Sequence, residues 1–161
     1  MRFKKLIKMK YTFIAIVLTL LISCSNDNNP EPIIDYTVEN EQEILDYIAA
    51  NELNAEKSDS GLYYVINELG TGSQPNLTDN VTVTYKGYLI NGAIFDERDG
   101  GGVNFDLDQL IPGFSEGVTL LKEGGNGIFI IPSRLAYGNI GAGPIPPGAV
   151  LIIEIGLISV N

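Results

Sequence analysis

Histidine is absent from the 161 residues, tryptophan is absent too, and cysteine occurs once, at Cys24. Without histidine the chain cannot build a His-based nucleophile triad, a titrating imidazole pair or most transition-metal sites. A single cysteine excludes a disulfide within the chain and any pairing of a thiolate with an imidazole base. Neither a metal nor a cofactor is expected. Basic residues are also scarce: 10 Lys and Arg stand against 20 Asp and Glu, a formal charge of −10. Five of the ten (Arg2, Lys4, Lys5, Lys8, Lys10) fall within residues 1–23, which contain no acid. Beyond that segment 5 basic residues face 20 acidic ones, a net −15. A body that acidic repels nucleic acid and anionic surfaces, so nucleic acid is excluded as a partner.

What the chain has in quantity is apolar side chains (45%), glycine (18) and proline (8), a turn-rich composition suited to a β-heavy domain. Its start reads as an address. A basic stretch from Met1 to Lys10 precedes an apolar run from Tyr11 to Ile22 that is too short to span a bilayer. Leu21-Ile22-Ser23-Cys24 then resembles a bacterial lipobox, in which Cys24 becomes the lipid-bearing first residue. Residues 1–23 are accordingly expected to be a lipoprotein signal peptide, with the protein anchored to a membrane of the cell envelope. Ser25 after the cysteine fits outer-membrane sorting better than inner-membrane retention. Residues 24–38, polar and carrying Pro30 and Pro32, have the composition of a tether.

Asn40-Glu41-Gln42-Glu43 reads as an N-cap with a glutamate three residues on, so a helix is expected from Glu41, within residues 39–57. Ile44, Leu45, Ile48, Ala49 and Leu53 fall on one face at helical spacing. Such a helix could pack on the domain, mediate dimerisation or space the domain from a membrane. From Ser60 the pattern changes to strands: Leu62 to Leu69, Val81 to Lys86 in alternation, Ile128 to Ile131, and Val150 to Val160. Asn91-Gly92 signals a two-residue hairpin loop. Pro112-Gly113-Phe114 opens a short helical segment reaching about Leu121. The expected class is α+β, an antiparallel sheet of about five strands covered by one short helix.

Five stretches in this order carry a family resemblance. They are Val83 to Leu89, Asn91-Gly92 to Phe95-Asp96, Leu110 to Gly117, Ile131 to Gly138, and Ile145-Pro146-Pro147-Gly148-Ala149. Residues 58–161 thereby resemble the FKBP-type peptidyl-prolyl cis/trans isomerases, and the layout of leader, tether and helix is similar to FKBP lipoproteins of Bacteroidetes-type bacteria. The resemblance implies a curved sheet wrapped over a short helix, with an apolar pocket between them. Carried over by position, Tyr85, Phe95, Asp96, Ile111, Phe114 and Tyr137 line that pocket, and Val103, Leu110, Ile145 and Ile153 complete its wall. It also implies proline-containing polypeptide clients and, as pocket ligands, macrolide inhibitors. A related reading with little turnover is a chaperone or peptide-binding lipoprotein.

The chemistry suits a chain without histidine. Rotating a peptide bond costs about 18–20 kcal/mol because amide resonance is lost, and no bond is made or broken. An apolar pocket penalises the polar planar amide more than the twisted one, and groups fitted to the rotated carbonyl favour the transition state selectively. By resemblance, the Tyr137 hydroxyl and the Ile111 N–H bind substrate carbonyls, while Asp96 supplies electrostatic complementarity and anchors Tyr85. Phe114 stands where much of the family has tryptophan, and Val103 and Ile153 where many members have phenylalanine. A wider pocket with fewer aromatics, modest activity and weak macrolide affinity are expected. The glycine-rich stretch Glu97 to Gly102 is expected to form a mobile edge.

Overall fold

The computed structural model describes residues 34–161; the leader, Cys24 and residues 25–33 of the expected tether lie outside the described residues. Six strands form one antiparallel sheet: β1 (Glu56–Lys57), β2 (Tyr63–Glu68), β3 (Asn80–Leu89), β4 (Ile94–Asp106), β5 (Asn126–Ile131) and β6 (Leu151–Val160). Their spatial order is β1-β2-β5-β6-β3-β4. Five of these answer to the expected sheet. The sixth, β1, is a two-residue edge addition pairing Glu56 with Tyr64 and Lys57 with Tyr63.

The two central strands alternate sides. Phe129, Ile131, Leu151, Ile153 and Ile155 point into the main core, whereas Ile130 and Ile152 point the other way into a second cluster. Strands covered on both faces have no solvent side to carry polar residues, which is why Ile128 to Ile131 and Leu151 to Ile153 read as continuous apolar runs. Each face has its own helix. On the main core lies α2 (Pro112–Thr119), with Phe114 and Val118 buried. Pro112 occupies a first-turn position, where its missing N–H would have had no helical partner. Gly117 lets α2 sit close, because a Cβ there would fall 2.5 Å from the Phe129 ring.

The opposite face is covered by α1 (Thr37–Ala50), whose Ile44 is fully buried against Tyr63, Ile130, Val150 and Ile152. Burying such a side chain contributes about 1.5–3 kcal/mol. The helix therefore differs from the expectation in both span and face. It begins at Thr37, whose N–H donates to Asp35 Oδ1 at 2.9 Å, and Asn40 is not its cap. It stops at Ala50, where Glu52 adopts a left-handed backbone (φ +52°) and Leu53 N–H donates to Ile48 O at 3.0 Å. That reversal delivers residues 56–57 to the sheet edge. Leu45 and Ala49 are exposed, and Asn40, Ile44, Tyr47 and Ile48 form the inward side.

Two further details of the β3–β4 ribbon depart from expectation. Its loop has three residues, Ile90 to Gly92, closed by Leu89 N–H to Ala93 O at 3.0 Å, with Gly92 at φ +84°. The stretch Glu97 to Gly102 is built into β4. Pairing jumps from Tyr85↔Arg98 to Val83↔Val103, so Thr84 faces four residues, with Gly100 and Gly102 at positive φ. This bulge turns the first half of β4 relative to the second.

Candidate functional site

The site forms where β3 and β4 meet the start of α2. Alternation along β3 sends Val83, Tyr85 and Gly87 to the main-core side, and Val103 and Phe105 of β4 pair across from Val83 and Val81. Tyr85, Phe105 and Phe114 then meet as a ring triad with centroids 5.9, 6.0 and 6.1 Å apart. Phe114 stands edge-on to both partners, the arrangement that aromatic quadrupoles favour. Phe95 lies over Gly87: a Cβ at that glycine would fall 2.5 Å from Phe95 Cε2 and nearer still to Cζ. The sheet is thus bare of side chain at the one point where the ring needs room.

Polar groups gather at the edge of this basin. The Tyr85 hydroxyl donates to Asp96 Oδ2. Asp96 Oδ1 accepts from the Glu97 N–H at 2.9 Å and from Arg98 Nη1 at 3.1 Å. Both carboxylate oxygens of Asp96 are thus engaged by neighbours. Burial, and after it the hydrogen bond and charge of Asp96, push the Tyr85 phenol up to about 12, with Arg98 opposing and Tyr137 adding slightly. Tyr85 stays a protonated donor at neutral pH. The Ile111 N–H makes no hydrogen bond within the described residues, and neither does the Tyr137 hydroxyl.

Of the ten residues singled out from sequence, Phe114, Ile145 and Ile153 are buried in the main core, and Tyr85, Phe95, Val103, Leu110 and Ile111 pack on it half-buried. Asp96 sits at the rim through its bond to Tyr85, and Tyr137 is the most open, 39% exposed. Sequence reasoning missed two members. Phe105 is the third ring of the triad, so the loss of aromatics at Val103 and Ile153 is partly made good. Its signal was its place two residues beyond Val103, on the same side of a strand. Arg98, the partner of Asp96, gave no signal beyond proximity in the chain.

A family model described as FKBP-type peptidyl-prolyl cis-trans isomerase matches residues 71–158, more than half of the chain. The probable FKBP-type peptidyl-prolyl cis-trans isomerase FkpA of Neisseria meningitidis is 51% identical over 105 residues, covering 63% of this chain and 39% of the relative. The outer membrane protein MIP of Legionella longbeachae is 45% identical over 106 residues, 63% of this chain and 45% of that one. The chain spans less than half the length of these curated relatives. Among solved structures, FkpA from Escherichia coli superposes with a TM-score of 0.70 at 36% identity, over 77% of this chain and 60% of its own.

Proposed function

The chain belongs to the FKBP-type peptidyl-prolyl cis-trans isomerase family, and from that premise we propose that it accelerates rotation about X–Pro bonds in polypeptide clients. The observation that carries the reading is the aromatic basin of Tyr85, Phe105 and Phe114, with Phe95 above it and the Tyr85-bound Asp96 at its edge. The proline ring enters between Phe95, Phe114 and Ile111, where water is excluded and the planar amide loses more solvation than the twisted one. The Ile111 N–H and the Tyr137 hydroxyl hold carbonyls on either side of the rotating bond. Asp96, oriented by Tyr85 and Arg98, complements the dipole of the twisted amide. No proton moves, in keeping with a carboxylate whose oxygens are already engaged. Macrolide inhibitors enter the same pocket loosely, since Val103 and Ile153 offer no ring to grip them.

The clients are proteins of the cell envelope, and a lipid on Cys24 holds the domain at the membrane, at the outer one in preference to the inner. The supports are the basic start, the short apolar run, Leu-Ile-Ser-Cys at 21–24, and a relative that is an outer membrane protein. Several acyl chains at about 0.8 kcal/mol per buried methylene make such an anchor firm. Loss of labelled fatty acid and release from membranes in Cys24→Ser is the expected result, and an unlabelled native protein refutes the anchor.

The enzyme test is a refolding or protease-coupled isomerase assay beside an Asp96→Val, Tyr137→Phe double variant. Acceleration lost in the variant supports the reaction and the site together. A folded native protein that binds prolyl peptide without accelerating it refutes the enzyme reading in favour of a peptide-holding one.

A further inference from the structure

Asn40 lies inside α1, only 2% exposed, and its Nδ2 makes a long contact of 3.4 Å with Glu43 Oε2 of the same helix. Its Nδ2 donates to Gly148 O at 2.8 Å and its Oδ1 accepts from the Ser133 N–H at 2.8 Å. Those partners are joined to each other. The Gly148 N–H donates to Gly138 O at 2.9 Å, and the Gly138 N–H donates to Ser133 O at 2.8 Å. Asn40, Ser133, Gly138 and Gly148 thus close a ring of four hydrogen bonds. One donor and one acceptor are demanded of the side chain at fixed spacing, which an asparagine supplies and a serine or leucine does not. The Tyr36 ring seals the outer side of the ring, where Gly148 (φ +75°) leaves room that a Cβ would fill, 2.5 Å from Tyr36 Cδ1.

Within this ring are the two loops that bring residues to the basin. Tyr137 sits between Ser133 and Gly138, and Ile145 lies three residues before Gly148. Neither loop has regular strand pairing beyond the isolated bridge Ala142↔Ile145. A groove of about 480 Å³ is lined by Tyr137 together with Tyr36 and with Thr37, Asn40 and Glu41 of the first turn of α1, so the start of that helix and the tyrosine share one groove.

We propose that α1 is part of the isomerase site rather than a spacer, with Asn40 as a positioning residue that sets the Tyr137 and Ile145 loops against the proline pocket. The inference rests on the isomerase reading and adds a residue to it from outside the span that the family model matches.

The test uses Asn40→Leu and Asn40→Asp in the full chain, each alone and combined with Tyr137→Phe. Kinetics on a prolyl peptide are read beside amide exchange at Gly138 and Gly148. Neither of these N–H groups bonds to Asn40 itself, so their exchange reports on the ring as a unit. Exchange at both should quicken at least about tenfold, and kcat/KM should fall about tenfold in the native background but less than about twofold once Tyr137 is phenylalanine. Asn40→Asp keeps the acceptor for Ser133 and loses the donor to Gly148, and serves the same test if Asn40→Leu does not fold. Unchanged exchange overturns the ring, and equal losses in both backgrounds overturn the positioning role. A native protein without turnover instead sinks the isomerase reading, while the exchange result still decides the ring.

Discussion

Adding one methyl group at Gly87 puts the geometry of the basin to its sharpest test. Gly87 is buried in β3, paired with Asp96 on one side and Ile153 on the other, and the space above it is filled by the Phe95 ring. An alanine Cβ would lie 2.5 Å from Phe95 Cε2 and 3.2 Å from Cε1. Ordinary carbon contacts are about 3.5–4.0 Å, so the ring must withdraw by roughly 1 Å. The paired strand cannot yield, but half-buried Phe95 can move outward. Overpacking costs about 1–3 kcal/mol, and against it the added Cβ regains about 0.5–1 kcal/mol of strand entropy. Net destabilisation of Gly87→Ala is therefore about 1 kcal/mol, visible as a small shift in a urea midpoint. Activity should suffer far more, because a misplacement of about 1 Å at a reacting centre can cost on the order of 100-fold. Isomerase kcat/KM is expected to fall by at least about tenfold in a protein that still folds. In a Phe95→Ala background the clash has gone, and the same substitution should stabilise by about 0.5–1 kcal/mol. Native kcat/KM in Gly87→Ala, or equal destabilisation in both backgrounds, would refute the placement of Phe95 over that glycine.

Three other outcomes follow from the same site. Tyr85→Phe removes the donor to Asp96 and should cost about 1 kcal/mol by urea unfolding, with a severalfold lower kcat/KM. Burial and Asp96 hold the Tyr85 phenol at about 12, above its free value of 10, so folding favours the neutral form. That stabilisation is full below pH 10 and lost as pH rises towards 12; two pKa units would be about 2.7 kcal/mol, which solvent screening of a half-buried ring reduces to about 1 kcal/mol. A pH series of unfolding midpoints checks it against Tyr85→Phe, which should lack this part of the alkaline loss. Phe114→Ala empties a site only 6% exposed where two rings converge, and should cost about 3–5 kcal/mol in thermal or urea unfolding.

Residue pattern made the sheet legible because its signals are local. Alternation in Val81 to Tyr85, Pro112 at a helix start and glycines at reversals each reflect the preference of a few neighbouring residues. The positions of Tyr85, Phe95, Phe114 and Tyr137 were legible through ordered motifs, whereas their contacts were not. That Phe105 completes the triad depends on which side of β4 it occupies after the bulge at Asp99 to Gly102, and a bulge changes that side without changing the pattern. The three-residue loop at Ile90 to Gly92 was hidden for a similar reason: Asn-Gly serves more than one loop length, and register chooses between them.

Asn40 shows where local reading ends. Asparagine before two glutamates fits a helix cap, because the rule asks what a side chain can reach within a turn of its own backbone. Beyond a long contact with Glu43, its close partners at 2.8 Å, Ser133 and Gly148, lie 93 and 108 residues away in the chain. They become available only once α1 has docked, and α1 docks because β5 and β6 are apolar on both sides. Ile130 and Ile152 already call for this docking, since a sheet covered by one helix would leave them facing water. At about 1.5–3 kcal/mol for each large side chain left exposed, a second cover was required, and the amphipathic segment ahead of the sheet was the one element without a face to bury. The cover and the site are then a single problem. The apolar side of α1 fastens it to the sheet, and the first turn of the same helix carries Asn40 to the loops that hold Tyr137 and Ile145.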